Sequence, residues 1–258
     1  MDRCDFLPVS AEEMHERGWW WYDALVVGGD AYVDHPSFGT AVISRVLEAE
    51  GLRVAVLAQP DWHDAEAFRA MGRPRLGVFI GAGNLDSMVA HYTAAKRRRS
   101  EDFYSPGKRT GCRPDRAAIV YCNRAREAFG PDMPIILGSL EASLRRFAHY
   151  DYWDDQVRRA ILFDAPADLL VYGMGEAATI EIAHRLKKKQ SVRTMTDIPG
   201  TGYITRDPSV CKFDHITLPS FEGVRDDKRL YAEATRTEYA EHDPIRGRAM
   251  IQPCEGRY

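Results

Sequence analysis

The sequence has few cysteines, and none of them lies close to another. The five are Cys4, Cys112, Cys122, Cys211 and Cys254. The two closest, Cys112 and Cys122, are ten positions apart, and there is no CxxC pair. Metal-binding cysteines normally come in short spacings that place two ligands at once, and disulfide frameworks use even sets. We therefore expect reduced, structural thiols and no metal site on this chain.

Long apolar runs are also missing. No stretch approaches the about 18 apolar residues of a membrane span, and no apolar run precedes Trp19. The net charge of −3 excludes a polycation that binds nucleic acid over its whole surface. These absences predict a cytoplasmic protein without a membrane span. The 258 residues, 45% of them hydrophobic, suffice for one large domain.

Several catalytic and nucleotide-binding motifs are absent. The sequence has no GxxxxGK[ST] P-loop, no HExxH zinc helix and no GxSxG nucleophile elbow. Residues 173–178 match GxGxxA, but they follow the fifth predicted strand, whereas a dinucleotide fingerprint follows the first. Glu176 also puts a carboxylate where a pyrophosphate would lie. A dinucleotide site is therefore disfavoured, and a nucleotide- or cobalamin-binding α/β protein is kept as an alternative.

Segments of strand length alternate with helical segments along most of the chain. Strands are predicted at residues 22–27, 53–57, 76–80, 134–137 and 167–172, and helices at 40–50, 62–71, 84–95, 113–129 and 177–187. This order is typical of a parallel sheet covered on both faces by helices. The sequence therefore predicts an α/β protein with a Rossmann-like, three-layer parallel sheet over residues 1–190.

The pattern changes after residue 190. Residues 201–205 and 248–252 are predicted as short strands, and residues 220–242 as one long exposed helix. Residues 191–258 have too few apolar positions for a core of their own. We predict a mixed helical and irregular extension that packs on the sheet domain or against a missing partner.

Glycines end or follow most of the predicted strands. They are Gly28, Gly29, Gly81, Gly83, Gly138, Gly173 and Gly175, with Asn84 and Glu176 beside them. Ligands of open parallel sheets bind beyond the carboxyl ends of the strands, where the following helices point their N-termini. Glycine also lets a ligand approach the backbone closely. The pattern favours a ligand crevice at this edge, and the alternative is a set of tight turns.

Residues 96–126 form a basic segment. It has ten lysines and arginines against three acidic residues, a local excess of seven positive charges, with aromatic side chains interspersed. Such a segment suits contact with a phosphate backbone and stacked bases, and it equally suits docking on an acidic partner domain. A nucleic-acid-binding module is therefore kept as an alternative function.

Residues 138–153, GSLEASLRRFAHYDYW, hold the densest group of charged and aromatic side chains. Glu141 and Arg145 stand four positions apart on a helix and are predicted to pair. Arg146, His149 and Asp151 are predicted to project near the preceding strand end, where they would bind an anionic substrate or contact another domain. The alternative is a partly buried network of ion pairs. Another face of the helix is predicted to be buried and carries Leu140, Leu144 and Phe147.

Asp34 and His35 lie in the loop after the first predicted strand. Such a pair serves as a general base, as metal ligands or, most often, as a helix cap or loop contact. The loop resembles the D-x-H-x-x-G motif of cobalamin domains, but here the aspartate and histidine are adjacent and Gly39 is four positions further on. The spacing makes a cobalt ligand at His35 doubtful, and cobalamin with it.

Four segments closely resemble the N-terminal region of the YgiQ family of radical SAM proteins. They are GDAYVDHPSFGTAV at 29–42, GAGNLDSMVAHYTAAKRRRSEDFYSPG at 81–107, EASLRRFAHYDYW at 141–153 and VYGMGE at 171–176. One departure is Ser139, where the family motif has Gly-Gly in place of Gly-Ser. The resemblance implies an N-terminal domain similar to cobalamin-binding, Rossmann-like folds, followed by a radical SAM barrel.

The resemblance further implies that the barrel holds a [4Fe-4S] cluster on a CxxxCxxC loop and binds S-adenosylmethionine. This sequence has no such loop, so we expect no cofactor on this chain and assign no catalytic residue to it. The expected function is an accessory domain that shapes or covers the substrate site of a radical SAM core, supplied in cis or by a separate chain. The edge predicted to face a ligand or that core carries Gly28, Gly29, Asp34, His35, Gly81, Gly83, Asn84, Gly138, Glu141, Arg145, Arg146, His149, Gly173, Gly175 and Glu176.

Overall fold

The structure, a computed structural model, describes residues 6–243 and 245–258. The strands are β1 Ala24–Gly28, β2 Val54–Ala58, β3 Gly77–Gly81, β4 Ile135–Gly138, β5 His149–Asp151, β6 Gln156–Arg158, β7 Leu169–Val171, β8 Thr201–Gly202, β9 His215–Thr217 and β10 Ala249–Ile251. The helices are α1 Ala11–Glu16, α2 Gly39–Ala49, α3 Glu66–Arg69, α4 Ser87–His91, α5 Ala117–Phe129, α6 Ser139–Leu144, α7 Glu176–Lys187, α8 Phe221–Asp226 and α9 Lys228–Ala240.

Six strands form the main sheet in the order β2-β1-β3-β4-β7-β8. The first five are parallel, and β8 runs antiparallel to β7. The strand order changes direction between β1 and β3, which is the topological switch point where open α/β sheets bind ligands. The predicted α/β class with a Rossmann-like parallel sheet is confirmed, and all five strands predicted before residue 190 are present.

The sheet is covered on both faces, because successive strand residues point to opposite sides. Leu25 and Val27 pack on the side of α5, whereas Ala24 and Val26 pack on the side of α2 and α7. All five residues of β1 are buried. Burial on both faces explains why this strand is a continuous apolar run rather than an alternating one.

Three predicted helices are shorter than the sequence pattern indicated, and the one predicted at 113–129 begins only at Ala117, after a left-handed Arg116. Residues 62–71 form a helix only at α3, and residues 84–95 only at α4. The carboxylate of Asp86 caps the first turn of α4, and Tyr92 ends that helix in an extended conformation. Local polar contacts therefore set the ends of α4, which the apolar periodicity did not reveal. No helix in the described part of the chain is long and apolar enough to cross a membrane.

The C-terminal extension packs against the rest of the chain. The single helix predicted at 220–242 is wrong, because Asp227 leaves the helical conformation and caps a second helix, α9. The strand predicted at 248–252 is present as β10 and pairs in parallel with β9. Phe221 and Val224 of α8 lie in a small core with Ala148, which is next to the β5–β6 hairpin. The domain boundary near residue 190 stays a prediction.

Candidate functional site

A cavity of about 320 Å³ lies at the carboxyl edge of the main sheet. The sheet supplies its floor with Val26, Phe79, Ile136 and Val171. The first turns of α2 and α7 line it with Thr40, Ile43, Glu176 and Thr179. It therefore occupies the space between the sheet and the two helices that follow β1 and β7, beside the switch point.

Three glycines lie side by side at this edge: Gly28, Gly81 and Gly138 are paired in register across β1, β3 and β4. A Cβ on Gly28 would lie 2.8 Å from the Oγ1 of Thr40, and one on Gly81 would lie 3.2 Å from the Cβ of Ser139. A Cβ on Gly138 would meet only the carbonyl oxygen of Val171, at 3.6 Å. The first two glycines thus make room for neighbouring side chains, and Gly138 borders open space.

Ser139 stands where the family resemblance implies glycine, and the backbone at this position suits a glycine. Its φ of 73° lies in the left-handed region that favours glycine. The Oγ of Ser139 accepts a hydrogen bond from the amide of Ala82 at 3.0 Å. This hydrogen bond joins the turns after β3 and β4. It offsets part of the free energy needed to hold a serine in the left-handed conformation.

A buried charged cluster lies beside the switch point. Nη1 of Arg113 donates to Asp30 at 2.8 Å, and Nη2 donates to both oxygens of Asp102 at 3.0 and 2.9 Å. All three side chains are buried. Burial raises the pKa of Asp30, against the lowering effect of the Asn84 amide and of Arg113. A Cβ on Gly83 would lie 2.3 Å from the Oδ1 of Asp30, so this position requires glycine.

Asn84 connects two loops at the same edge. Its amide donates to Asp30 at 2.7 Å, its Oδ1 accepts from the amide of Gly39 at 3.2 Å, and its Nδ2 donates to the carbonyl of Ser37 at 2.9 Å. Gly29 is equally constrained, because a Cβ there would overlap the carbonyl oxygen of Ala82. These predicted site residues therefore position the loops beside the cavity rather than line it.

Glu141 is the buried centre of the 138–153 motif. Its carboxylate accepts from the amide of Ser87 at 2.9 Å and from the amide of Ala118 at 3.0 Å, at the first turns of α4 and α5. Arg145 pairs with Asp86 instead, so the predicted Glu141–Arg145 side-chain pair is wrong. Burial raises the pKa of Glu141, and the neighbouring Asp86 carboxylate raises it further. Glu141 and Arg145 therefore hold neighbouring helices together and do not line the cavity.

Apolar side chains are exposed beyond three adjacent strands. Leu140 and Leu144 are 44% and 61% exposed, so their predicted burial is wrong, and Phe147 is only partly buried. Val89 of α4 and Met174, in the loop after β7, are also exposed, Met174 by 92%. We call Val89, Leu140, Leu144 and Met174 the apolar edge. The sequence pattern of α6 showed an apolar face. It did not show that no other element of the described chain covers this face.

Arg146 and His149 lie outside the cavity. The guanidinium of Arg146 is 5.3 Å from the ring centre of Tyr172 and donates to the carbonyl of Ser143 at 2.7 Å. Nδ1 of His149 donates to the carbonyl of Phe147 at 3.1 Å, which leaves Nε2 as an acceptor. Burial lowers the pKa of His149 to about 4, so its imidazole is neutral at pH 7.

Asp34 and His35 contact different partners and do not act as a pair. Asp34 forms a bidentate ion pair with Arg45 of α2, with one Nε–Oδ2 distance of 3.0 Å. His35 is exposed, and its Nδ1 accepts from the amide of Ser37 at 3.1 Å. This contact places the proton of the neutral ring on Nε2, where a metal ligand would need a lone pair. The loop-contact interpretation fits this geometry.

The basic segment 96–126 uses many of its cations within the chain. Arg113 is fully buried, Arg116 pairs with Asp151 at 2.9 Å and Arg126 pairs with Asp168 at 2.9 Å. Guanidinium groups held in this way are not presented to a phosphate backbone. The nucleic-acid alternative therefore gains no support from the placement of these three arginines.

The cysteines do not form a cluster site in the described part of the chain. Cys122 and Cys254 are buried in different cores, and Cys112 and Cys211 are partly exposed. No group of three or more His, Cys, Asp or Glu side chains in the described ranges is placed to hold a metal ion. Cys4 lies outside the described residues. The thiols of this region thus do not fit the three-thiolate loop that the family resemblance implies.

Of the predicted site residues, the cavity is lined by Gly81, Gly83, Gly138, Gly173, Gly175 and Glu176. Thr40, Ser139, Thr179 and Met174 also line it and were not predicted. Thr40 follows Gly39 at the start of a helical pattern, which is the one sequence signal that would have located it. Ser139 comes close to the segment that carries Met174 and Thr179 only when β4 and β7 pair.

The chain is similar over its full length to longer proteins. It is 53% identical to a UPF0313 protein of Clostridium botulinum strain 657 and 51% identical to one of Clostridium perfringens strain SM101. The matches cover 100% of this chain but only 40% and 39% of those relatives. The chain therefore spans about two fifths of the length of these curated relatives.

One solved structure matched by part of the chain is that of a radical S-adenosylmethionine methyltransferase, TsrM, from Kitasatospora setae, with cobalamin and a [4Fe-4S] cluster bound. The TM-score is 0.42 at 20% identity, over 72% of this chain and 27% of that one. A family model described as Radical SAM N-terminal matches residues 6–258. This match confirms the resemblance drawn from the four sequence segments. The chain belongs to the Radical SAM N-terminal family.

Proposed function

We propose that this chain is the accessory domain of a radical SAM protein and that it packs the carboxyl edge of its sheet against the radical SAM core. In this position the edge closes one side of the substrate site. The core supplies the [4Fe-4S] cluster and S-adenosylmethionine, and this chain supplies shape and contacts. The proposal rests on one observation, the apolar edge.

The apolar edge supports docking because its members follow adjacent strands. Val89 follows β3, Leu140 and Leu144 follow β4, and Met174 follows β7. Removing apolar surface from water is worth roughly 25 cal/mol per Å², and grouped exposed apolar side chains are typical of interfaces. The Asp30–Arg113–Asp102 cluster and Asn84 hold the neighbouring loops, so this surface is organised before a partner arrives.

A radical SAM core is the occupant that the relatives favour. More than half of each curated relative lies outside the region matched by this chain. We expect a region of that size to pack on the N-terminal part, and the carboxyl edge carries both exposed apolar side chains and a cavity. We therefore place the core there rather than at the amino edge of the sheet.

The proposal is tested by hydrogen exchange on this chain alone and on a full-length protein made by joining it to the remaining region of the Clostridium botulinum relative. We expect amides of α6 and of residues 172–176 to exchange at least tenfold more slowly in the full-length protein. Leu144→Asp and Met174→Asp should reduce that protection. Trp20→Asp, at a site before β1 whose exposure lies between those of Leu144 and Met174, is the matched control and should change nothing at the carboxyl edge. Equal exchange at the edge in both proteins contradicts the proposal.

A further inference from the structure

We propose that the cavity at the carboxyl edge is a binding site for an uncharged nitrogen heterocycle of nucleobase or nucleoside size. The site is built from residues of this chain and does not depend on docking of a core. It goes beyond the accessory role, because it gives this domain a ligand of its own. The argument rests on the size, the charge and the hydrogen-bonding groups of the cavity.

The size of the cavity favours a single small ring system. Its volume of about 320 Å³ is at the low end of the roughly 300–1,000 Å³ of small-molecule sites. Phe79, Ile136 and Val171 on one side and Ile43 on the other present apolar surfaces to a flat ring. Rings bury much apolar area in such a slot. An extended dinucleotide would need a longer groove.

The charge of the lining favours a neutral ligand. The described residues that line the cavity include no lysine, arginine or histidine, and their one charged side chain is Glu176. A phosphate placed here would meet a carboxylate without a balancing cation, and like charges at short range repel strongly in a half-buried site. A neutral heterocycle avoids this repulsion, and its N–H or O–H groups can donate to Glu176.

Hydrogen-bond donors are available at the same place. Helices α2 and α7, of 11 and 12 residues, begin at the cavity with Phe38 and Gly175 at their N-cap positions. Neither residue caps its helix through a side chain. The amide of Gly39 already donates to Asn84, so the donors available to a ligand are the other first-turn amides, such as those of Thr40 and Ala177. Ring nitrogens and carbonyl oxygens are suitable acceptors for them. The hydroxyls of Thr40 and Thr179 add groups that both donate and accept.

Gly138 allows the cavity to be filled without strain. Its φ of −142° and ψ of −156° are extended backbone that any residue adopts. Ile136 lines the cavity floor, and residues two apart on a strand point to the same face. A side chain at 138 therefore points into the cavity, where only the carbonyl of Val171 lies within 4 Å of its Cβ.

The test is calorimetric titration of the 258-residue chain with adenosine, uridine and adenosine 5′-monophosphate. We expect at least one nucleoside to bind with a Kd of about 1 mM or tighter and the monophosphate to bind at least about tenfold more weakly than adenosine. Gly138→Val should weaken nucleoside binding by at least about tenfold. Gly138→Ala adds a single methyl group and should give a smaller loss, which keeps the test valid where the valine variant does not fold.

Gly202→Val is the matched control. Gly202 is a strand glycine in β8 whose added Cβ would have only ordinary contacts with Leu170 at 3.9 Å, and it does not line the cavity. This variant should bind the nucleosides as the parent chain does. The proposal is overturned by the absence of binding for both nucleosides, by equal binding of the monophosphate and adenosine, or by unchanged binding in both Gly138 variants.

Discussion

Arg113 is a charged side chain that lies fully inside the protein, between Asp30 and Asp102. A buried ion cluster need not add net stability, but removing one member leaves an uncompensated charge. This cluster holds loops in fixed positions relative to each other. Nη1 of Arg113 also donates to the carbonyl of Ala82 at 3.4 Å, so one guanidinium joins the loops after β1 and β3 to residue 102. The planar guanidinium of Arg113 makes this possible because its nitrogens donate in several directions at once, whereas a lysine has a single charged nitrogen.

His149 makes the stability of the protein depend on pH. Its folded pKa of about 4 lies below the ordinary value of 6.5 because the ring is partly buried and poorly solvated. Between these values the unfolded chain binds more protons, so this contribution is complete above about pH 6.5 and is lost as the pH falls towards 4. The parent chain loses unfolding free energy between pH 7 and pH 4.5. In His149→Gln this loss should be smaller by about 2–3 kcal/mol. Urea unfolding at both pH values measures it.

The control for this prediction is His215→Gln. His215 makes the same Nδ1 contact, to the carbonyl of Phe213 at 3.1 Å, but it is exposed. We expect its substitution to leave the pH dependence unchanged. An equal effect of the two substitutions would mean that burial is not the cause.

At the scale of elements, Glu141 of α6 holds two other helices in place. Its oxygens accept from the first-turn amides of α4 and α5, where the positive end of each helix favours a carboxylate. The hydroxyl of Ser87 completes the arrangement by accepting from the amide of Ala117 at 3.1 Å. These contacts bury one face of α6 and leave Leu140 and Leu144 on the exposed face.

Glu141→Gln is expected to reduce the unfolding free energy by about 1–3 kcal/mol, because an amide group can accept only one of the two hydrogen bonds and turns a donor towards the other amide. Urea unfolding at pH 7 measures the change. Glu233→Gln, on the exposed surface of α9, is the control and should stay within about 0.5 kcal/mol of the parent chain. A loss below that limit for Glu141→Gln would contradict the role of two accepted bonds.

At the scale of the whole molecule, the chain has a large main sheet and a small C-terminal core. The sheet has buried clusters on both faces, whereas the small core has only five buried apolar residues in the described chain. Ala148, beside the β5–β6 hairpin, belongs to that small core. The part of the extension after residue 220 therefore covers the hairpin segment of the 138–153 motif, and we expect the small core to open independently of the main sheet.

Phe221→Ala should destabilise the small core by about 3 kcal/mol, because it empties the space of a buried ring. We expect faster hydrogen exchange in α8, α9 and β9, with β1, β3 and β4 unchanged. Mass spectrometry of the exchanged chain measures this. Tyr239→Ala, at a ring that is 84% exposed, is the control. Equal acceleration in the main sheet would show that the two cores unfold as one.

The sequence predicted the elements of the sheet better than the contacts of its side chains. Apolar runs located five strands because a strand buried on both faces is apolar at every position. The glycines located the carboxyl edge. The helix pattern at 139–144 was also informative, but the burial of Leu140 and the Glu141–Arg145 pair were wrong. Both errors arise because periodicity shows which residues share a face and not what lies opposite that face.

The positions of the sheet strands along the chain, the glycine-rich edge and the family were determined by the sequence itself, since they depend on short segments and motifs. The tertiary structure decided which charges are buried, which apolar residues are exposed and where the cavity lies. Arg113 meets Asp30 across 83 positions of the chain, and Glu141 meets the amide of Ser87 across 54. Such contacts arise when distant segments pack against each other, and no local pattern specifies them.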